Sequence, residues 1–512
     1  MLSEERRSPY RQLVSGPTAS GAAKVAIAAG SFMKILLRSV SLTMLMLATA
    51  ACSTTPPTAM TTAEMPKAFT APTAPGVSQE ITTDWWKSFS SPELSGLVET
   101  ARADNLDLAV AAARVRQAQA QTGLAASALF PDVNLSGSAK RQGTKHPGTT
   151  FNTFGASLGA SYELDFWGLA QDNLRAARNS ARAAIYAKDV VMLTVSANVA
   201  NTYFDVVALR ERLDIARKNV DAAKRILGIT QAKVDNGVSS NLDLAQQKAL
   251  LAGQEAQIPA LEEQEREARY ALATLLGRPP EGFDIKDTSL EGVVAPPVTP
   301  GMPSALLQRR PDIAEAEANL VAAHANVDAA RAAFLPAIGL TGSGGYASTA
   351  ISSLINPSNL AWSIGASLLQ TVFDGGRLTS ESDAAKAQEA ALIATYRSTV
   401  LNALVDVESA LGSTSSLAEQ ERLTNEQVTN AAEAFRISEL QYREGVVDLL
   451  TVLTAQQTLF SSQDKLVQIK LARLQSSVGL YRALGGGWTV EADKDVPTRN
   501  DFMPLPIPIN DL

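Results

Sequence analysis

The chain has 512 residues, 45 Lys+Arg against 52 Asp+Glu, two histidines and one cysteine. A single cysteine excludes an internal disulfide framework. His146 and His324 alone leave little room for histidine metal or triad chemistry, and the net charge of -7 argues against coating nucleic acid. An alanine-rich, aromatic-poor, acidic chain of this length points to a channel, scaffold or binder with long helices rather than to an enzyme.

Residues 33–52 read MKILLRSVSLTMLMLATAAC. Lys34 and Arg38 give a basic start, Val40 to Leu47 an apolar stretch and Ala48 to Ala51 small residues. That is the layout of a secretory signal over 33–51, and it begins at its own methionine, so residues 1–32 are expected to be a mis-assigned extension. Cys52 ends the signal as the lipid-attached cysteine of a bacterial lipoprotein would, carrying a diacylglycerol and an N-acyl chain. Thr49 departs from the leucine usual three residues before it. Ser53 lacks the acidic side chain that favours retention in the inner membrane, so outer-membrane delivery is expected. Residues 52–83 are rich in Thr, Pro and Ala and read as a tether.

The rest is written twice. Residues 107–138 align without gaps to 312–343, bringing Asp107, Pro131, Leu135 and Gly137 onto Asp312, Pro336, Leu340 and Gly342. Gly237-Val238 recurs as Gly445-Val446, and Leu276-Gly277 as Leu484-Gly485. The expected units are 84–277 and 305–488, joined by the Pro/Gly-rich 278–304 and followed by a tail, 489–512.

Each unit predicts the order helix, strand, strand, very long helix, helix. Pro131 and Pro336 stop the first helix and start extended chain. From Phe154 to Phe166 the alternation is nearly unbroken, with Phe154, Leu158, Tyr162 and Leu164 on one face and Gly155, Ser157, Ser161 and Glu163 on the other. This fits a transmembrane barrel strand. The segments 133–141, 337–348 and 362–373 are its expected partners, and Trp167 and Trp362 fall at strand ends, where an aromatic girdle lies. Gly344-Gly345 reads as a strand end rather than a phosphate cradle.

The stretches 169–234 and 378–443 hold no proline. A continuous helix over either reaches about 100 Å and is too polar to cross a bilayer. Four strands per chain leave two open edges, which lipid does not tolerate, so the strands must be pooled with those of other copies. The charge cluster Glu262, Glu263, Glu265, Arg266 and Glu267 reads as a solvated helix face or as i,i+4 pairing, with contact to a partner protein as the alternative. Arg309 and Arg310 read as an anchor beside Asp312, and His324 as a polar surface residue. Asp406 and Glu408, two apart on a helix, do not form a catalytic pair.

An ordered set of motifs now spans 84–488: Trp85-Trp86 with Phe89; Asn105-Leu106-Asp107-Leu108; Tyr162-Glu163-Leu164-Asp165-Phe166-Trp167-Gly168; Arg309-Arg310-Pro311-Asp312; Phe373-Asp374-Gly375-Gly376-Arg377; and Leu484-Gly485-Gly486-Gly487-Trp488. The sequence resembles the outer-membrane efflux lipoproteins of the TolC/OprM type, the NodT group. The resemblance implies a mainly α chain with transmembrane β structure, trimeric, with a pooled β-barrel and a periplasmic α-barrel. It implies a homotrimer in outer-membrane lipid that receives cargo from a periplasmic adaptor and an inner-membrane, proton-driven RND transporter, without a cofactor and without nucleic acid. It also implies a periplasmic aperture at Tyr442, Leu450, Leu453, Thr454 and Gln457, with Thr454 and Gln457 standing where relatives carry aspartate and a basic residue. The alternatives are a duct for a type I protein-secretion system and a scaffold lipoprotein without a pore.

Overall fold

The computed structural model describes residues 65–71, 81–143, 145, 148–298 and 300–489. Cys52, the signal 33–51, the extension 1–32, His146 and the tail beyond Thr489 lie outside the described residues.

The first unit runs through α1 (Pro92–Asp104), α2 (Leu106–Ser127), β1 (Asp132–Gly143), β2 (Thr150–Leu164), α3 (Leu169–Asp235) and α4 (Asn241–Leu275). The second runs through α5 (Pro311–Ala332), β3 (Ala337–Ser348), β4 (Leu360–Leu369), α6 (Arg377–Arg443) and α7 (Leu449–Ala483). The duplication holds to the residue. α2 and α5 both have 22 residues, α3 and α6 both 67, and α4 and α7 both 35.

Local chemistry sets these bounds. α3 and α6 both start from a glycine in the left-handed region, Gly168 at φ 88° and Gly376 at φ 90°. An aspartate just before each caps the orphan amides: Asp165 accepts from Ala170 and Gln171, and Asp374 from Gly376 and Leu378. Ser240 and Asp243 form a reciprocal capping box on α4. On α7, the amide and hydroxyl of Thr451 donate to Asp448 and hold its carboxyl below the ordinary carboxylate range.

The sheet is antiparallel in the order β1-β2-β3-β4. β4 stops at Leu369, short of the expected 373, because its last partner is Ala337. The residue before that partner is Pro336, which has no amide to extend the ladder. Gly344 and Gly345 lie inside β3 rather than at its end, paired with Trp362 and Ala361.

α3 packs beside both α2 and α5, and α6 follows α5, so these four helices continue beneath the sheet as one layer. α4 folds back along α3, and α7 along both α6 and α3. The largest core lies where Trp85, Trp86 and Phe89 are buried against Tyr203 and Phe204 of α3 and Tyr481 of α7. Trp85 stacks on Tyr481 at 5.3 Å between ring centroids. Each such ring contributes roughly 2–3 kcal/mol by burial. α3 does contain an 18-residue window apolar enough to cross a membrane, contrary to the expectation, but half of it is buried in the protein. Buried side chains of α3 between Val195 and Ala208 belong to this aromatic core, which accounts for their apolarity.

Within the joint, residues 284–287 are strapped to the helices. Arg210 of α3 donates to the Ile285 carbonyl at 2.6 Å and to Glu265 of α4 at 2.9 Å, and also holds Asp284. Glu93 accepts the amides of Lys286 and Asp287. The α4 charge cluster is the expected mix of solvated side chains and pairing along the helix, Glu265 meeting Arg269 four residues on, and it is not only that, because pairs cross to α3 as well. Glu265 and Glu262 pair across the hairpin with Arg210 and Arg217, while Glu263 pairs along the helix with Arg266. His324 is likewise not a plain surface residue. α5 lies between α3 and α6, which brings its Nδ1 within 2.7 Å of Glu389 Oε1 and its Nε2 within 3.8 Å of Asp328.

Candidate functional site

Two surfaces are the candidates for a functional site: the faces of the sheet and the far ends of the long helices. Residues directly opposite in an antiparallel ladder share a face. The register therefore joins Leu135 to Leu158, Tyr162 to Leu340, Leu164 to Ile338, Ile338 to Leu368 and Tyr346 to Leu360. One face is apolar across all four strands. The other carries Asn134, Ser136 and Lys140 on β1, Thr153 and Ser157 on β2, Thr341 and Ser343 on β3, and Ser363 and Ser367 on β4. Ser136 bonds Ser157 at 2.8 Å and Ser343 bonds Ser363 at 2.9 Å along this polar face. Leu135 and Ile364 on the apolar face are 81% and 82% exposed, with nothing among the described residues to cover them.

The two aromatics stand at opposite heights of the sheet. Trp167 follows β2 where the chain enters α3, donates its indole N–H to the Pro336 carbonyl at 2.8 Å and meets Phe166 edge to face. Trp362 is the third residue of β4, toward the opposite end, and points out of the apolar face.

At the far ends, Gly237 and Gly445 turn the hairpins at φ 70° and φ 79°. The expected aperture residues divide here. Tyr442 is buried, its hydroxyl 3.1 Å from Thr230 of α3 and its ring 4.7 Å from the Lys233 ammonium. Leu453 is buried with Phe435, Phe460 and Ile226. Neither lines an open surface, because α3 packs across α6 and α7 at this point and turns both inward. Leu450, Thr454 and Gln457 are exposed, at spacings of four and three, and so share one helix face. The Thr454 hydroxyl donates to the Leu450 carbonyl at 2.9 Å.

Arg310 knits the region between sheet and tip. It is buried and donates to Asp312 at 2.6 Å, to Asp406 of α6 at 3.1 Å and to the Ala483 carbonyl at 3.0 Å. Burial opposes its charge, but Asp312 and Asp406 outweigh it and hold the guanidinium above its ordinary range. Glu408 turns elsewhere and accepts the amides of Thr70 and Ala71. Asp406 and Glu408 are thus structural, on separate tasks. The tie from Thr230 to Tyr442 had no sequence signal, since its partners are 212 residues apart.

The family model described as outer membrane efflux protein matches residues 97–278 and 302–486. The pyoverdine export outer membrane protein OpmQ of Pseudomonas aeruginosa is 41% identical over 429 residues, covering 81% of this chain and 90% of the relative. OpmQ of Pseudomonas putida is 40% identical over 479 residues, covering 91% of this chain and all of the relative. The solved structure of the outer-membrane channel OprN superposes with a TM-score of 0.77 at 30% identity, covering 83% of this chain and 98% of that one.

Proposed function

This chain belongs to the outer membrane efflux protein family and is an outer-membrane efflux duct with a periplasmic tunnel, and on that premise we propose that it is the passive exit of a tripartite small-molecule pump. It works as a homotrimer with a periplasmic adaptor and an inner-membrane, proton-driven RND transporter, which supplies the energy.

The observation that carries the reading is the sheet: one face apolar over four strands, the other polar, and both outer strands without a neighbour on one side. Lipid tolerates no open edge, and the smallest barrels hold about eight strands. Copies must therefore close the barrel, and the layer of α2, α3, α5 and α6 closes beneath it as a tube. At about 1.5 Å per residue, the 67-residue helices make that tube about 100 Å long.

The exposed face of Leu450, Thr454 and Gln457 forms the far opening, with an apolar ring from Leu450 and neutral polar rings from the other two. Cys52 carries the diacylglycerol and N-acyl lipids that anchor each protomer. The cargo is a small molecule of the pyoverdine kind, a reading supported by the two OpmQ relatives rather than by any residue here. The test is deletion of the gene in its native host, with cargo measured inside and outside the cell. Retention of a siderophore-type chelator, relieved by the intact gene, supports the proposal. Unchanged export of small molecules alongside loss of a secreted protein would favour the protein-secretion alternative.

A further inference from the structure

Beneath the sheet, between the end of α2 and the start of α3, opens a cavity of about 690 Å³. Tyr162, Leu164 and Phe166 line one side, and Arg175, Arg178 and Arg182 the other. Tyr162 and Leu164 belong to the apolar face, so the cavity opens on the lipid side of the sheet. The three arginines, spaced by three and four, share one face of α3. Helical side chains lean toward the helix N-terminus, which here is the membrane end, so the guanidiniums reach up toward headgroup level.

Their partners differ. Arg175 is held by Asp172 at 2.9 Å and Asp328 at 2.7 Å. Arg182 donates to Asn179 at 3.4 Å and has a further partner, while its Nε is buried without an acceptor. Arg178 makes no ion pair among the described residues, and its Nε is buried without an acceptor. The acidic residue lining the cavity, Asp165, is committed to the amides of Ala170 and Gln171. The fold does not demand this cluster. Counting from the matched starts of α3 and α6, the second unit carries Asp383, Lys386 and Ala390 at these places, and Asp383 neutralises Lys386 at 3.3 Å.

We propose that this cavity binds the phosphate headgroup of a phospholipid in the periplasm-facing leaflet. Arg178 and Arg182 donate to phosphate oxygens, and an acyl chain lies over Tyr162 and Leu164. Guanidinium–phosphate pairs are among the stronger hydrogen-bonded contacts, and the adjoining apolar wall selects a lipid over a free anion. The proposal rests on the outer-membrane duct reading, because it needs the apolar face to meet lipid.

The test is native mass spectrometry of the purified oligomer incubated with phosphatidylglycerol, with inorganic phosphate or with uncharged diacylglycerol, beside single-channel recording of the same preparations. The wild type should retain phosphatidylglycerol, and Arg178→Gln with Arg182→Gln should lower retention roughly ten-fold while conductance is kept. Equal retention by the variant overturns the proposal, and so does displacement of the lipid by inorganic phosphate at equal concentration, which would make the cavity a plain anion site. If the glutamine pair does not assemble, Arg178→Lys with Arg182→Lys is scored the same way: reduced retention supports the site and unchanged retention removes it. Loss of conductance in the wild type itself would count against the duct reading, separately from the lipid result.

Discussion

Asn105 and Arg310 hold the same place in the two repeats, one residue before the helix that leads to the strands, and each reaches across to the end of the last helix of its own unit. Asn105 Nδ2 donates to the Leu275 carbonyl at 2.8 Å, and Arg310 Nη1 to the Ala483 carbonyl at 3.0 Å. One joint is thus built twice, neutral in the first unit and charged in the second. It ties the layer beneath the sheet to the hairpins that run to the tip. The charged version recruits Asp312 and Asp406, so removing Arg310 takes the cation from two partly exposed carboxylates.

Arg310→Met is expected to destabilise the assembled protein by about 1–3 kcal/mol, the cost of the lost charged hydrogen bonds at a buried guanidinium whose two aspartates are partly exposed. Arg310→Lys should recover only part of this, because an ammonium cannot fork to both aspartates. Chemical denaturation of the purified oligomer, followed by circular dichroism, reads both. Wild-type stability in Arg310→Met would show that the network is decorative.

The same joint depends on a glycine at its other side. Gly485 sits at φ 86°, and a Cβ there would run into the Arg309 carbonyl. Gly445 at φ 79° has open space around it. Gly445→Ala should therefore cost only the left-handed penalty of about 1–2 kcal/mol, whereas Gly485→Ala should abolish stable oligomer. Oligomer yield after outer-membrane extraction separates the two. Equal yields would mean that the joint gives way more easily than its geometry implies.

The register assigns neighbouring residues of β4 to opposite environments. Ile364 pairs with Gly342 on the apolar face, and Ser363 pairs with Ser343 on the polar face. Ile364→Arg should cost about 2–4 kcal/mol near the bilayer midplane and lower the amount inserted in the outer membrane. Ser363→Arg should insert normally. Quantitative immunoblots of outer-membrane fractions decide it, and the reverse ranking would place the sheet faces the other way round.

At the tip, a ring of carboxylates attracts cations and bars anions. Thr454 is exposed on the same face as Leu450, so Thr454→Asp should raise cation selectivity. The reversal potential across a salt gradient in a planar bilayer measures it. No shift would take Thr454 out of the constriction.

Much of this was legible in the sequence, and the failures have physical causes. The long helices are legible because a 66-residue stretch without proline has few other options. β2 was readable from its period of two. The end of β4 was not, since Pro336 on another strand sets it. Among the expected aperture residues, Tyr442 and Leu453 are buried between helices while Leu450, Thr454 and Gln457 are exposed, a division that spacing does not show because a helix in a tube has one apolar stripe for its neighbours and another for the bore. The partner of His324 is not legible from its own helix, because Glu389 lies on another one. The arginines at 175, 178 and 182 drew no notice, being charges on a long polar helix until the sheet above them was placed.

The central claim is that copies of this chain pool their four-stranded sheets into one conducting barrel. Single-channel recording of the purified protein in a planar lipid bilayer tests it most directly. The account predicts discrete, uniform conductance steps from a preparation whose mass is that of three chains. Protein that inserts at that mass and yet passes no current, or that stays a single chain, would contradict it.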